Sequence, residues 1–316
     1  CFFCSIVASL RHQFKTKKMK IKNILKSILL TTTIFTTMET QAQSFKTIET
    51  KNLKLQVYNA SENSFGVASV IVSGKTDAVL IDAQFTLADA EKVAQEIKNS
   101  GKNLTAIYVS HGDPDFYFGL EIFKKYFPEV TAYASPETVE HIKATAQKKL
   151  EVWGERLGKN ITSNVVLPQV LKGNSIDLEG EKLEIVGLEK FPTKTFVWMP
   201  SEKAVLGGIN VFGTTFNLWM ADAQTTEARN QWISVLNEIS NLNPEIVVPA
   251  HANSNSDFDV KAVNHTKNYI QFYEEALKTN KTSDELIKTI KAKYPALTFE
   301  TALQIGAKVN TGEMKW

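Results

Sequence analysis

Tyr108-Val109-Ser110-His111-Gly112-Asp113-Pro114-Asp115-Phe116-Tyr117-Phe118-Gly119 joins a β-type run, Thr105 to Ser110, to an amphipathic segment that carries Leu120, Ile122, Phe123 and Phe127 and closes at Pro128. Three metal-capable side chains, His111, Asp113 and Asp115, stand at alternate positions directly after the strand. Extended backbone turns alternate residues to one side, so the three can converge on one cation. The same string also reads as an Asp-Pro turn beside a histidine, and spacing alone leaves both readings open.

Working outward, the chain before this string has β-type runs over Leu53 to Tyr58, Val67 to Ser73 and Ala78 to Asp82. The turn sequence Ser73 to Asp77 predicts a hairpin between the last two. Thr86, with Asp89 three positions on, opens a helix that puts Leu87, Ala90, Val93, Ala94 and Ile97 on one face and stops at Ser100-Gly101. After the string come a strand from Val130 to Ala134 and a helix from Pro136 to Leu157 with Val139, Ile142, Leu150 and Trp153 on its apolar side. Residues 165 to 212 then hold four or five strands: Val165 to Leu167, Ser175 to Leu178, Leu183 to Val186, Thr195 to Met199 and Ala204 to Leu206. A helix from Thr226 to Leu242 leads to a strand, Glu245 to Pro249, that ends in Ala250-His251. From Val260 the chain is helical, with breaks at Thr279 to Ser283 and at Tyr294-Pro295.

Two halves of β followed by α, each ending a strand in a His-bearing loop, predict an α+β fold: a four-layer αββα sandwich with its site along one edge of the paired sheets. A doubly wound parallel sheet competes, but it leaves the hairpin-like strands of 165 to 212 without a place.

With 316 residues and 43% hydrophobic content the chain can bury a full core. Its formal charge of +2 is set by the N-terminal 43 residues, which hold seven Lys or Arg and one acid, Glu39; the remainder has 29 basic against 33 acidic residues. Such a body lacks the basic surplus that phosphate neutralisation requires, so no nucleic-acid partner is expected. From Met19 a Lys-rich start, an apolar and Thr-rich stretch from Ile24 to Phe35, and a small polar end at Gln41-Ala42-Gln43 predict a signal peptide over 19–43. The apolar stretch is too short to span a membrane, so after cleavage the expectation is a periplasmic or secreted protein without a membrane anchor. Residues 1–18, which begin with Cys, read as upstream sequence translated in error, leaving a domain over 44–316 with a helical extension from about 256. Both cysteines, Cys1 and Cys4, fall in that head, so the mature chain offers no thiolate ligand and no disulfide.

The string at 108–119 resembles the H-x-H-x-D-H signature of the metallo-β-lactamase superfamily, with His111 at the first His, Asp113 at the second, Asp115 at the Asp and Phe116 at the last His. Val79-Leu-Ile-Asp82 is similar to that family's early strand ending in a structural Asp. Ile246-Val-Val-Pro-Ala-His251 is similar to the late strand ending in a metal-binding His. Asn217-Leu-Trp219-Met-Ala-Asp222 and the closing Gly312-Glu-Met-Lys-Trp316 resemble a bacterial, often exported subgroup.

The departures carry as much weight. Lys190 stands where the family has a mid-chain His, and Gly207-Gly208-Ile209-Asn210 places Ile209 where it has a bridging Asp. The resemblance therefore implies His111, Asp113, Asp115 and His251 as metal ligands, two to each half of the usual site. A catalytic zinc takes three protein ligands and a water, so a merged site is needed to reach that count. Its oxygen-rich shell would accept Zn2+, Mn2+ or Fe2+, as one or two ions or none.

Two functions follow from the resemblance. In the first, a metal-bound hydroxide attacks an ester, lactone or amide of a small-molecule substrate while Asp115 orients the nucleophile and Lys190 stabilises an oxyanion. In the second, the chain binds an anionic or apolar ligand near Lys190 and the aromatics with its metal site decayed. The missing His and Asp argue against antibiotic hydrolysis, and Ser110 lacks the G-x-S-x-G elbow of serine hydrolases. His141 and His265, each alone on a helix, read as surface or packing residues. Asp222 reads equally as a helix cap and as a pocket residue. Trp198, Phe212, Phe216, Trp219 and Trp316 read as core unless a cleft gathers them.

Overall fold

The computed structural model describes residues 45–316; the expected leader, the segment before it and both cysteines lie outside the described residues. Seven strands lie side by side in chain order: β1 (Lys46–Glu49), β2 (Lys54–Asn59), β3 (Ala68–Ser73), β4 (Asp77–Ile81), β5 (Asn103–Tyr108), β6 (Thr131–Ala134) and β7 (Gln169–Val170). β1 to β4 pair antiparallel, and the β3–β4 pair is the hairpin expected from its turn residues. β4 to β7 pair parallel. Parallel neighbours need a crossover, and helices supply each one. α1 (Leu87–Ser100) links β4 to β5, α2 (Pro114–Tyr117) and α3 (Leu120–Tyr126) link β5 to β6, and α4 (Pro136–Leu157) links β6 to β7.

The second sheet holds β8 (Ser175–Leu178), β9 (Glu181–Val186), β10 (Phe196–Met199), β11 (Ala204–Leu206) and β12 (Ile246–Val247), in the order β12-β11-β10-β9-β8. It is antiparallel from β8 to β11, while β12 joins β11 in parallel through the crossover helix α5 (Thr226–Asn241). The chain closes with α6 (Lys261–Thr279), α7 (Ser283–Lys293) and α8 (Glu300–Asn310).

Strand periodicity sorts the core into layers. Leu55, Val57, Val70, Val72, Val79 and Ile81 of the first sheet meet Leu183, Ile185, Val197, Met199 and Leu206 of the second in one buried cluster. Their alternates Ile71, Leu80 and Ile107 turn outward and pack with Val93 and Ile97 of α1 and Phe123 of α3. On the far side Trp198 and Val205 pack with Trp232, Leu236 and Ile239 of α5. The result is the α+β sandwich of four layers, αββα.

Three local expectations are corrected. β1 was not foreseen, and Val165 to Leu167 is not a strand; the short edge strand lies two residues later at Gln169–Val170. The single helix expected after Asp115 is two, because the Gly119 amide donates to the Gln84 carbonyl and the Phe116 carbonyl accepts from the Ala83 amide instead of pairing within one helix; the close approach needs glycine, since a Cβ there would lie 1.9 Å from the Ala83 carbonyl oxygen.

Candidate functional site

The site forms where β5 and β12 end. Asp82 follows β4 with a left-handed backbone (φ 61°) that turns its carboxylate towards the end of β5. The Ser110 amide and hydroxyl each donate to it at 2.7 Å, and the Gly208 amide donates to Ser110 Oγ at 2.7 Å. This brace ties both sheets to the loop that begins at His111. Full burial pushes the Asp82 carboxyl up to about 7 against the opposing pull of the Ser110 hydrogen bonds.

Beyond the brace, the Asp113 amide donates to His111 Nδ1 at 3.2 Å, so that nitrogen acts as an acceptor. His111 is pushed down to about 4, chiefly by burial and against the attraction of Asp113, which leaves the ring neutral at neutral pH. Burial opposes the charge of Asp113, but the attraction of His111 and Lys149, with a Lys149 hydrogen bond, outweighs it and carries the carboxyl down to about 2. At neutral pH, with His111 uncharged, Lys149 is the cation that remains beside it. Its Nζ, reaching in from α4, donates to the Gly112 carbonyl at 2.8 Å and to Asp113 Oδ1 at 2.9 Å, and lies 3.0 Å from His141 Nε2.

The second pair is Asp115 with His251. His251 Nδ1 lies 3.1 Å from the Phe65 carbonyl, which can only accept, so Nδ1 carries the proton and Nε2 is bare. Nε2 faces Asp115 Oδ2 at 3.7 Å, too far for a hydrogen bond. Burial, then Asp113, pushes the Asp115 carboxyl well up, and burial pushes His251 down to about 4. The fully buried ring of Phe116 stands edge-on to both histidines, 5.4 Å from His111 and 5.8 Å from His251 between ring centroids. Phe212 stacks on His251 at 4.8 Å.

Two cavities open over these groups. One, of about 400 Å³, is walled by Phe65, Trp153, Trp219, Phe299 and Trp316 over a floor of Asp113, Asp115 and His251. The other, of about 320 Å³, holds His111, Lys194, Phe212 and Trp232, and the two share Asp113, His141, Ile209, Trp219 and Asp222.

A family model described as the metallo-beta-lactamase superfamily matches residues 63–251. The chain belongs to the metallo-beta-lactamase superfamily. Among solved structures, the IND-7 metallo-beta-lactamase is 18% identical with a TM-score of 0.53, over 73% of this chain and 100% of that one. A metallo-beta-lactamase from Pontibacter korlensis is 18% identical with a TM-score of 0.49, over 72% of this chain and 99% of that one. At such identity the IND-7 likeness shows the fold alone. No curated protein matches the chain.

The donor set does not fit the metal that the metallo-beta-lactamase superfamily implies. Among the described residues no three His, Cys, Asp or Glu side chains form a group able to hold an ion. His111 with Asp113 and Asp115 with His251 remain two pairs with Phe116 wedged against both histidines, and the Lys149 ammonium takes one oxygen of Asp113. Two donors fall short of the three protein ligands of a catalytic zinc.

Lys190 is placed outside the site: its side chain is 65% exposed, pairs with Glu238 at 2.7 Å and lines neither cavity. Four residues on, after a turn in which the Lys194 amide donates to the Phe191 carbonyl, Lys194 enters the second cavity. His141, read as a surface or packing residue, lines both cavities, whereas His265 packs with Nε2 3.0 Å from the Phe216 carbonyl. Asp222 is a pocket residue and accepts from Trp316 Nε1 at 2.6 Å, while Thr225 caps α5. Sequence reading missed Lys149. Its signal was the stripe His141, Thr145, Lys148, Lys149 on α4, spaced as one helical face.

Proposed function

We propose that this chain uses its fold to bind a small organic molecule without a metal. The ligand's apolar or aromatic body lies among Trp153, Trp219 and Phe299, with a polar head towards Asp113 and Lys149. On the reading of 19–43 as a cleaved leader, it does so in the periplasm or outside the cell. The observation that carries the proposal is the ammonium of Lys149, held by the Gly112 carbonyl, Asp113 and His141 at 2.8 to 3.0 Å. A cation supplied by the chain itself satisfies the charge of Asp113 and repels a second cation from the same oxygens. Superfamily membership suggests a metal-dependent hydrolase; the donor chemistry favours binding instead. A cleft of this size, with an aromatic wall beside a polar and charged floor, suits a ligand of modest size that has one apolar and one polar end.

Elemental analysis of protein purified without chelators, then offered zinc, manganese and iron, tests the reading. Less than about a tenth of an equivalent is expected, because two-donor sites release metal readily. One or two equivalents, lost in both His111→Ala and His251→Ala, would restore the hydrolase reading.

A further inference from the structure

The amine of Lys194 differs from its neighbour in the cleft. Lys149 Nζ donates to the Gly112 carbonyl and to Asp113 and lies beside His141, so its hydrogen-bonding capacity is taken up by the protein. Lys194 lines the cavity of about 320 Å³, and among the described residues its Nζ meets no hydrogen-bond acceptor and no carboxylate at ion-pair distance. It lies 5.3 Å from the centroid of the Trp232 ring. Its backbone is pinned: Asn210 Nδ2 donates to the Lys194 carbonyl at 2.9 Å, and Trp232 Nε1 donates to the Asn210 carbonyl at 2.8 Å. The same indole that flanks the amine thus fixes the loop that carries it.

We propose that Lys194 is a nucleophilic amine that captures an aldehyde with an apolar body as an imine in this cavity. The Nζ lone pair forms a bond to the carbonyl carbon as the π pair moves to oxygen. That oxygen then leaves as water with the two amine protons, so the exchange needs no oxidant, reductant or other reactant. Loss of solvent lowers the basicity of Lys194, against the pull of Asp222 and Asp113. A desolvated lysine keeps a larger share of free amine at neutral pH, the usual way such nucleophiles are prepared. Ile209, Phe212 and Trp219 line the same cavity and offer apolar surface to the body of the aldehyde.

The proposal rests on reading the cleft as an organic-ligand pocket, and the two fail differently. The full chain is incubated at neutral pH with benzaldehyde and cyanoborohydride, which reduces an imine to a stable secondary amine, and the labelled lysines are mapped by peptide mass. The expected result is a benzyl group on Lys194 at a rate at least about tenfold above the exposed, ion-paired Lys190 and Lys203, since Lys194, unpaired among the described residues, sits in a cavity and desolvation favours its free amine. Lys194→Arg, which keeps the charge and removes the nucleophile, should lose that fast label. Labelling of Lys194 no faster than of Lys190, or a fast label that persists in Lys194→Arg, overturns the proposal. Fast labelling of a protein that also holds stoichiometric metal overturns the metal-free reading alone. A metal-free protein with an inert Lys194 overturns the imine alone.

Discussion

At the scale of one residue, Asp82 connects stability to pH. Its carboxyl is raised to about 7 in the folded chain, from about 4 in an unfolded one. A raised folded value means that the stabilising contribution is complete below the unfolded value and is lost as pH rises through the folded one. Between about pH 4 and 7 the loss is on the order of 3 kcal/mol. Asn at this position imitates the protonated acid: it tolerates the left-handed backbone, accepts from the Ser110 amide and donates to Ser110 Oγ. Asp82→Asn should therefore gain stability relative to the parent as pH rises from 5 to 7.5, read from urea unfolding at both values. A difference that does not change with pH would mean that Asp82 does not titrate in this window. Asp82 was legible from the apolar run that ends on it. The cleft lysines were not: Lys190 and Lys194 differ only by the Phe191 to Lys194 turn, which sends one to solvent and the other into a cavity.

At the scale of elements, the loop after β5 owes its shape to Gly119, between α2 and α3. Its amide donates to the Gln84 carbonyl at 2.9 Å, and the Ala83 amide donates to Phe116, so α2 is clamped beside the segment that follows β4. With the Ala83 oxygen 1.9 Å from where a Cβ would stand, backbone rather than a flexible side chain must move. Gly119→Ala is expected to cost at least about 3 kcal/mol, the upper range for overpacking, seen as a lower urea midpoint with an unchanged slope. A midpoint equal to the parent's would show that the loop relaxes freely. Longer elements were legible where a cap and a periodic face agree, as in α1 behind Thr86 and α4 behind Ser135-Pro136. The α2–α3 break was not, because the sequence offers one helical segment through Leu120, Ile122, Phe123 and Phe127, and the pairing of Phe116 and Gly119 with Ala83 and Gln84 depends on a segment distant in the chain.

At the scale of the molecule, the frame and the site are separable. The inter-sheet cluster of Leu55, Val57, Val79, Leu183, Val197 and Leu206 involves none of the cleft side chains, so the sandwich stands whatever chemistry its edge carries. On the metal-free reading two residues oppose a metal, Phe116 by offering no donor beside either histidine and Lys149 by committing its charge to Asp113. The doubly substituted Phe116→His, Lys149→Met chain adds a nitrogen next to Asp115 and His251 and frees Asp113 and His141. It should take up roughly one equivalent of zinc where the parent takes almost none, since three protein donors suffice. Its thermal midpoint without metal should fall by several degrees, because the fully buried Phe116 ring gives way to a smaller polar one, while the untouched inter-sheet core keeps the chain folded. Zinc uptake is measured by elemental analysis after dialysis, with circular dichroism as the check on folding. A folded double variant that still refuses zinc would show that donor count does not govern this cleft, and that its loops have settled into a shape closed to any ion.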